Sequence, residues 1–125
     1  MIQRQHRFQG HDSLRFVYRR GQTVRGPLSS LKYAPARNQN WRLAVVVSKK
    51  VHKSAVVRNR IRRRLYEAVR RLEDQIQQPF DMVLTVFHET LAEMPADQVN
   101  KLVYTQLKQA GAFRAQAKKP TKSSS

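Results

Sequence analysis

Cysteine is absent from the 125 residues. That excludes disulfides, thiolate nucleophiles and cysteine-ligated zinc, and it leaves packing to hold the fold. No apolar run reaches the length of a membrane span, and the opening MIQRQHRF has no apolar stretch of the kind a secretory signal needs. A soluble, cytoplasmic protein with no membrane partner is expected. Histidine is sparse: His6, His11, His52 and His88 pair neither with one another nor with carboxylates at metal-binding spacing, and no two-carboxylate motif stands out. Neither a catalytic residue nor a metal site is therefore expected in this chain, and no small-molecule substrate. Acid is scarce relative to base, with 8 Asp and Glu against 25 Lys and Arg, for a formal charge of +17.

The imbalance is uneven. Residues 1–71 hold 19 basic and 2 acidic residues, whereas residues 72–125 hold six of each. Self-repulsion on this scale calls for an external polyanion, and a phosphate backbone is the commonest one. Solubility alone would not need so lopsided a distribution. Length and apolar content suit one compact domain.

Hydrophobic periodicity supplies the elements. Asp12 or Ser13 can cap a short helix in which Leu14, Val17 and Tyr18 share a face, with Gly21 as its stop. From Val24 to Ala34, imperfect alternation around Gly26-Pro27 predicts a strand pair or a bent strand. Trp41 to Ser48, WRLAVVVS, reads as a central strand buried on both faces. From Ser54 to Gln78, apolar residues recur at three and four (Val57, Ile61, Leu65, Ala68, Val69, Leu72, Ile76), which predicts a long amphipathic helix ended by Pro79. FDMVLTVF, Phe80 to Phe87, is a second buried strand, parallel to the first through a β-α-β unit. A last helix has Pro95 in its first turn and Asp97 near its positive end. Its apolar face is Val99, Leu102, Val103, Leu107 and Ala110, and Gly111 stops it. The tail from Arg114 to Ser125 should be disordered.

Ser48 to Arg71 concentrates the charge, with ten basic residues and one acid, Glu67. Guanidinium forks match phosphate oxygens and stack on unpaired bases, so an arginine-rich helix face suits folded RNA. Arg58 and Arg62 line one edge of the apolar stripe and Arg60, Arg64 and Arg71 the other, with Arg63 and Arg70 also on the charged circumference. Asn59 can reach a sugar hydroxyl or a base edge. Lys49, Lys50 and Lys53 add their charge to the positive helix start. The five arginines from Arg58 to Arg64 repel one another unless a ligand neutralises them. A basic zipper would continue the seven-residue spacing of Leu65 and Leu72, but the next position is Pro79. Amphipathicity alone also fits a membrane-surface or calmodulin-target helix, yet those are usually exchangeable segments and this one is wedged between two strands.

The ordered set of strand, Lys49-Lys50, Arg58-Asn59-Arg60, arginine-rich helix and DMVLTVF strand resembles the bacterial ribonuclease P protein family, over about residues 4–113. The resemblance implies a single α/β domain over residues 1–113, an α+β two-layer sandwich like domain 2 of ribosomal protein S5. Its order would be α-β-β-β-α-β-α, with a left-handed β-α-β crossover. It also implies that Lys49, Lys50, Lys53, Arg58, Asn59, Arg60, Arg62, Arg63, Arg64, Arg70 and Arg71 bind the RNA subunit. A separate cleft, drawing on Leu14, Arg15, Tyr18, Lys32, Tyr33 and with less weight Phe16, would hold the 5′ leader of precursor tRNA. Ordinary core packing is the stronger expectation for Phe16. The chemistry would belong to Mg²⁺ held by the RNA subunit and substrate. Two features depart from the family pattern: Val51-His52-Lys53-Ser54 replaces a shorter, glycine-containing spacer, with His52 expected to fill a turn, and Tyr66 stands where arginine is common. A ribosomal or other structural RNA-binding protein is the alternative, and a duplex-DNA reader a weaker one.

Overall fold

The computed structural model describes residues 11–35 and 40–113, and the expected tail from Arg114 lies outside them. The order is α1 (His11–Arg20), β1 (Gln22–Arg25), β2 (Ser29–Pro35), β3 (Arg42–Val46), α2 (Ala55–Arg70), β4 (Phe80–Val86) and α3 (Ala96–Ala110). Three-residue and four-residue 3-10 turns stand at Glu73–Gln75 and Glu89–Ala92. This is the expected α-β-β-β-α-β-α arrangement in a single α+β domain. The strands form one mixed sheet in the order β1-β2-β4-β3, with β2 antiparallel to both β1 and β4, and β3 parallel to β4.

The Gly26-Pro27 signal does mark a hairpin, closed by Gly26 N–H donating to the Ser29 carbonyl at 2.9 Å. The expectation for Trp41 to Ser48 needs correction, because β3 is an edge strand and the interior places belong to β2 and β4. The apolar run in β3 reflects cover on both faces rather than a central place. Leu43 and Val45 enter the main core, while Ala44 and Val46 pack against a second cluster of Val17, Ala34 and Val83. An edge leaves backbone groups unpaired. Here α2 covers some of them: Val45 N–H donates to the Tyr66 hydroxyl at 3.3 Å, and Arg62 donates to the Val47 carbonyl at 3.4 Å.

Strand alternation divides the sheet into two faces. Leu31, Leu43, Val45, Met82, Leu84 and Val86 lie beneath α2 and α3, which bury Ile61, Leu65, Ala68, Val69, Val99, Val103, Leu107 and Ala110 against them. The other face carries Lys32, Ala34, Val83, Ala44 and Val46, and α1 seats Val17 on it. On that face Arg42 donates two hydrogen bonds of 2.7 Å to the carboxylate of its neighbour Asp81. The carboxylate holds the Arg42 guanidinium above its ordinary pKa.

Helix ends show where local signals hold. α1 begins at His11, so Asp12 and Ser13 stand inside it rather than at its cap. Gly21 does stop it, with its N–H donating to the Val17 carbonyl at 2.7 Å. A Cβ on Gly21 would fall 2.3 Å from that carbonyl oxygen. The Ser54 hydroxyl caps α2 by accepting from Val57 N–H at 3.4 Å. α2 ends at Arg70, eight residues short of the expected Gln78. The chain has to reverse before it enters β4 at Phe80, so Leu72 leaves helical geometry and the 3-10 turn brings Ile76 into the core. Gln77 N–H then donates to the Ala112 carbonyl at 2.8 Å. Pro95 precedes α3 instead of occupying its first turn, and Gly111 stops it with φ 80, a left-handed value that favours glycine. Polar Gln106 is buried in α3. It accepts from the Ser29 hydroxyl at 2.9 Å and donates to the Ser29 carbonyl at 2.9 Å, which pins α3 to the first hairpin.

Candidate nucleic-acid interface

The main core fixes α2 along one stripe, and the side chains around the rest of its circumference meet different fates. Lys49, Lys50, Lys53, Asn59, Arg60, Arg63 and Arg71 are exposed. Lys49 and Lys50 occupy a turn closed by Val51 N–H donating to the Ser48 carbonyl at 3.0 Å. Arg58 is half-buried, and its Nε is buried without a hydrogen-bond partner. The Asn59 side-chain oxygen accepts from Arg62, the residue that also reaches the β3 edge. Arg60 lies 3.6 Å from Glu93 at the surface. Arg70 grips Glu67 one turn back, with the Nε 3.0 Å from each carboxylate oxygen. That contact draws the Glu67 pKa from 4.5 down to about 2, chiefly through the hydrogen bonds from Arg70.

Arg64 differs from the rest. It donates to the Leu91 carbonyl at 2.7 Å and also to the Met94 carbonyl. Its fork is therefore committed to holding the segment before α3 against α2, and removing it together with Arg58 and Arg60 would disturb the fold as well as the surface. Arg64 does stand at the edge of the apolar stripe as its helical position implies, but that position fixes the direction of a side chain and not what a later segment brings to meet it. His52 fills a turn as expected, with Nδ1 accepting from Ser54 N–H at 3.0 Å and Nε2 lying 3.5 Å from Glu89. Tyr66 serves the sheet edge.

The second group of expected residues lies across the sheet. The Lys32 ammonium donates to the Tyr18 carbonyl at 3.2 Å and stands 5.6 Å from the centre of the Tyr18 ring, so the two form one feature. Both Tyr18 (44% exposed) and Phe16 (40% exposed) present aromatic surface, which overturns the expectation of core packing for Phe16. Arg15 is exposed beside them, and the Leu14 side chain lies outside the described residues. Tyr33 does not join this group. The two-residue period sends it to the α2 side, where its ring lies 5.0 Å from that of Phe80 and its hydroxyl donates to Gln22 at 3.0 Å. Lys32 and Tyr33 are adjacent in sequence and on opposite faces.

Beside the arginine ridge runs a groove of about 720 Å³, whose lining includes Val57, Arg60, Glu89, Glu93 and Met94. Sequence reasoning missed it, because residues 88–94 carry no helical or strand period. Among the described residues, no group of three or more His, Asp or Glu side chains is placed to hold a metal ion. None of their helices is long and apolar enough to cross a membrane.

The family model described as Ribonuclease P matches residues 2–111. The chain is 40% identical over 89 residues to the Ribonuclease P protein component of Synechococcus elongatus, covering 68% of this chain and 73% of that protein. It is 37% identical over 113 residues to the component from Roseiflexus castenholzii, covering 90% and 92% respectively. Among solved structures, the RNase P protein of Staphylococcus aureus superposes with a TM-score of 0.77 at 23% identity, covering 87% of this chain and 98% of that one. The RNase P protein from Thermotoga maritima gives 0.74 at 21% identity, covering 82% and 96%. At such identities the structural likeness speaks for the fold alone.

Proposed function

This chain belongs to the ribonuclease P protein family, and we propose from that premise that it binds the catalytic RNA of ribonuclease P and the 5′ leader of precursor tRNA in the cytoplasm, promoting Mg²⁺-dependent removal of the leader. The observation that carries the reading is the row of exposed cations, Lys49, Lys50, Lys53, Arg60, Arg63 and Arg71, on and beside a helix whose other side is locked into the core. A rigid cationic ridge neutralises phosphates at fixed spacing and screens the repulsion between two polyanions, which lowers the Mg²⁺ needed to bring them together. The Tyr18–Lys32 pair supplies a ring for stacking and a cation for a phosphate, a combination that tolerates any leader sequence.

Mg²⁺ is commonly held by phosphates together with one or two carboxylates rather than by a protein cage. The ion is assigned to the RNA and substrate, where it supplies the activated water. This chain's residues bind, orient and screen. The direct experiment adds the protein to a bacterial ribonuclease P RNA at low Mg²⁺ and follows 5′ processing of a precursor tRNA. Stimulation is expected. Binding without stimulation would instead favour a structural RNA-binding protein with no enzyme role. Tyr18→Ala is expected to weaken binding of leader-containing precursor by roughly 1–3 kcal/mol and to leave mature tRNA unaffected. Equal losses for the two substrates would remove Tyr18 from the leader path.

A further inference from the structure

The groove beside the ridge is built of unlike parts. Val57 of α2 faces Ala92 and Met94 of the segment that follows β4, giving apolar walls, while Arg60, Glu89 and Glu93 stand at the rim. Arg64 ties the far wall to α2 through the Leu91 and Met94 carbonyls. Its volume, about 720 Å³, falls within the range of small-ligand sites.

The two carboxylates decide what can enter. Both are more than half exposed, so they remain accessible, although Glu93 lies 3.6 Å from Arg60 and Glu89 lies 3.5 Å from His52. Ionised carboxylates only accept hydrogen bonds, and they repel phosphate. Acid is scarce in this protein, and these two acids sit next to its most basic stretch. The group that satisfies them carries N–H donors on its edge, and the apolar walls call for flat, weakly hydrated faces. A nucleobase has both. Arg60 belongs to the ridge and the groove alike, so a strand whose phosphates follow the ridge can turn one unpaired base inward.

We propose that this groove receives an unpaired guanine of the RNA that the protein binds. Guanine is selected because its N1–H and N2–H lie side by side and match the two oxygens of one carboxylate, whereas uracil offers a single N–H between two carbonyls. The proposal rests on the ribonuclease P reading and adds to it a base-reading site, with Glu89 and Glu93 as the residues that set specificity.

Two measurements on the full chain test it. Guanosine 5′-monophosphate and uridine 5′-monophosphate are titrated separately while the methionine methyl signals are followed by NMR. The guanine nucleotide is expected to move the Met94 methyl and to leave that of fully buried Met82 in place, and the uracil nucleotide to move neither. Equal shifts from both nucleotides, or no Met94 shift from the guanine nucleotide, would overturn the assignment. Movement of Met94 with spermidine but not with nucleotide would overturn it in favour of a cationic ligand.

The second measurement turns on a sign. Replacing both acids (Glu89→Gln with Glu93→Gln) raises the net positive charge, so an idle groove predicts tighter binding to ribonuclease P RNA. The base-reading groove predicts weaker binding, by a factor on the order of ten. Unchanged or tighter binding sinks the proposal. If the unaltered protein fails to stimulate the RNA, the functional reading itself falls. If it stimulates and the double variant binds more tightly, only the groove assignment falls.

Discussion

Neighbouring arginines on α2 have different jobs. Arg63 is exposed, whereas Arg64 donates to two main-chain carbonyls. Arg64→Ala is expected to cost about 2 kcal/mol of stability in urea denaturation, since hydrogen bonds from a charged donor exceed neutral ones. Arg63→Ala should leave the urea midpoint unchanged and weaken RNA binding. Glu67 gives a pH signature. Its folded-state pKa of about 2 lies below the ordinary 4.5, so the ionised carboxylate contributes stability above about pH 4.5, and that contribution is lost as the pH falls toward 2. The contribution is small because the pair is two-fifths exposed. An NMR titration should find the Glu67 midpoint at about 2, and Arg70→Ala should return it toward 4.5. The residue types of the proposed interface were legible in the sequence. The commitment of Arg64 was not, because its acceptors are carbonyls 27 and 30 positions further along the chain.

At the scale of elements, periodicity located α1, β3, α2, β4 and α3 and left β1 and β2 open between a strand pair and a bent strand, while the end of α2 and the edge position of β3 were among the features it misplaced. The α2 pattern runs on through Leu72 and Ile76, yet these side chains reach the core from a 3-10 turn, and apolar spacing alone does not separate the two geometries. The edge position of β3 was hidden in the same way: Ala44 and Val46 are apolar because α1 helps cover their face. The seat of α1 depends on Gly21. Gly21→Ala would push a methyl group into the Val17 carbonyl, and is expected to cost roughly 1–3 kcal/mol and to displace Tyr18 from Lys32. The check is a selective loss of affinity for leader-containing precursor, with binding to the catalytic RNA alone retained. Weakening of both RNAs to the same degree would mean that α1 supports the whole domain rather than one surface.

Across the whole molecule, the sheet separates two surfaces, the α2 ridge on one side and the Tyr18–Lys32 pair on the other. Under the proposed function, cations on both surfaces would let one small domain hold two RNAs without forcing them into contact. The charge asymmetry was plain in the sequence, whereas the two-sided display follows from which strands become neighbours. Replacing Arg60, Arg63 and Arg71 with Ala together removes exposed groups only and should preserve the fold. The plot of log affinity for the catalytic RNA against log salt should flatten by roughly 0.7 to 0.9 for each phosphate that is no longer neutralised. An unaltered slope would place the RNA elsewhere.

The strand order also has a consequence for biosynthesis. β4 is the sole neighbour of β3 and the second neighbour of β2, yet it comes last of the four strands to leave the ribosome. Until Phe80–Val86 has emerged, the nascent chain has one short hairpin and an unpaired third strand, so its most cationic stretch is made before the platform that will display it. Gln106 delays completion further by reaching back 77 positions to Ser29. The domain therefore closes only after α3 has followed β4 out of the ribosome, and a chain stalled before that point would expose a sticky, polycationic arm to whatever RNA surrounds it.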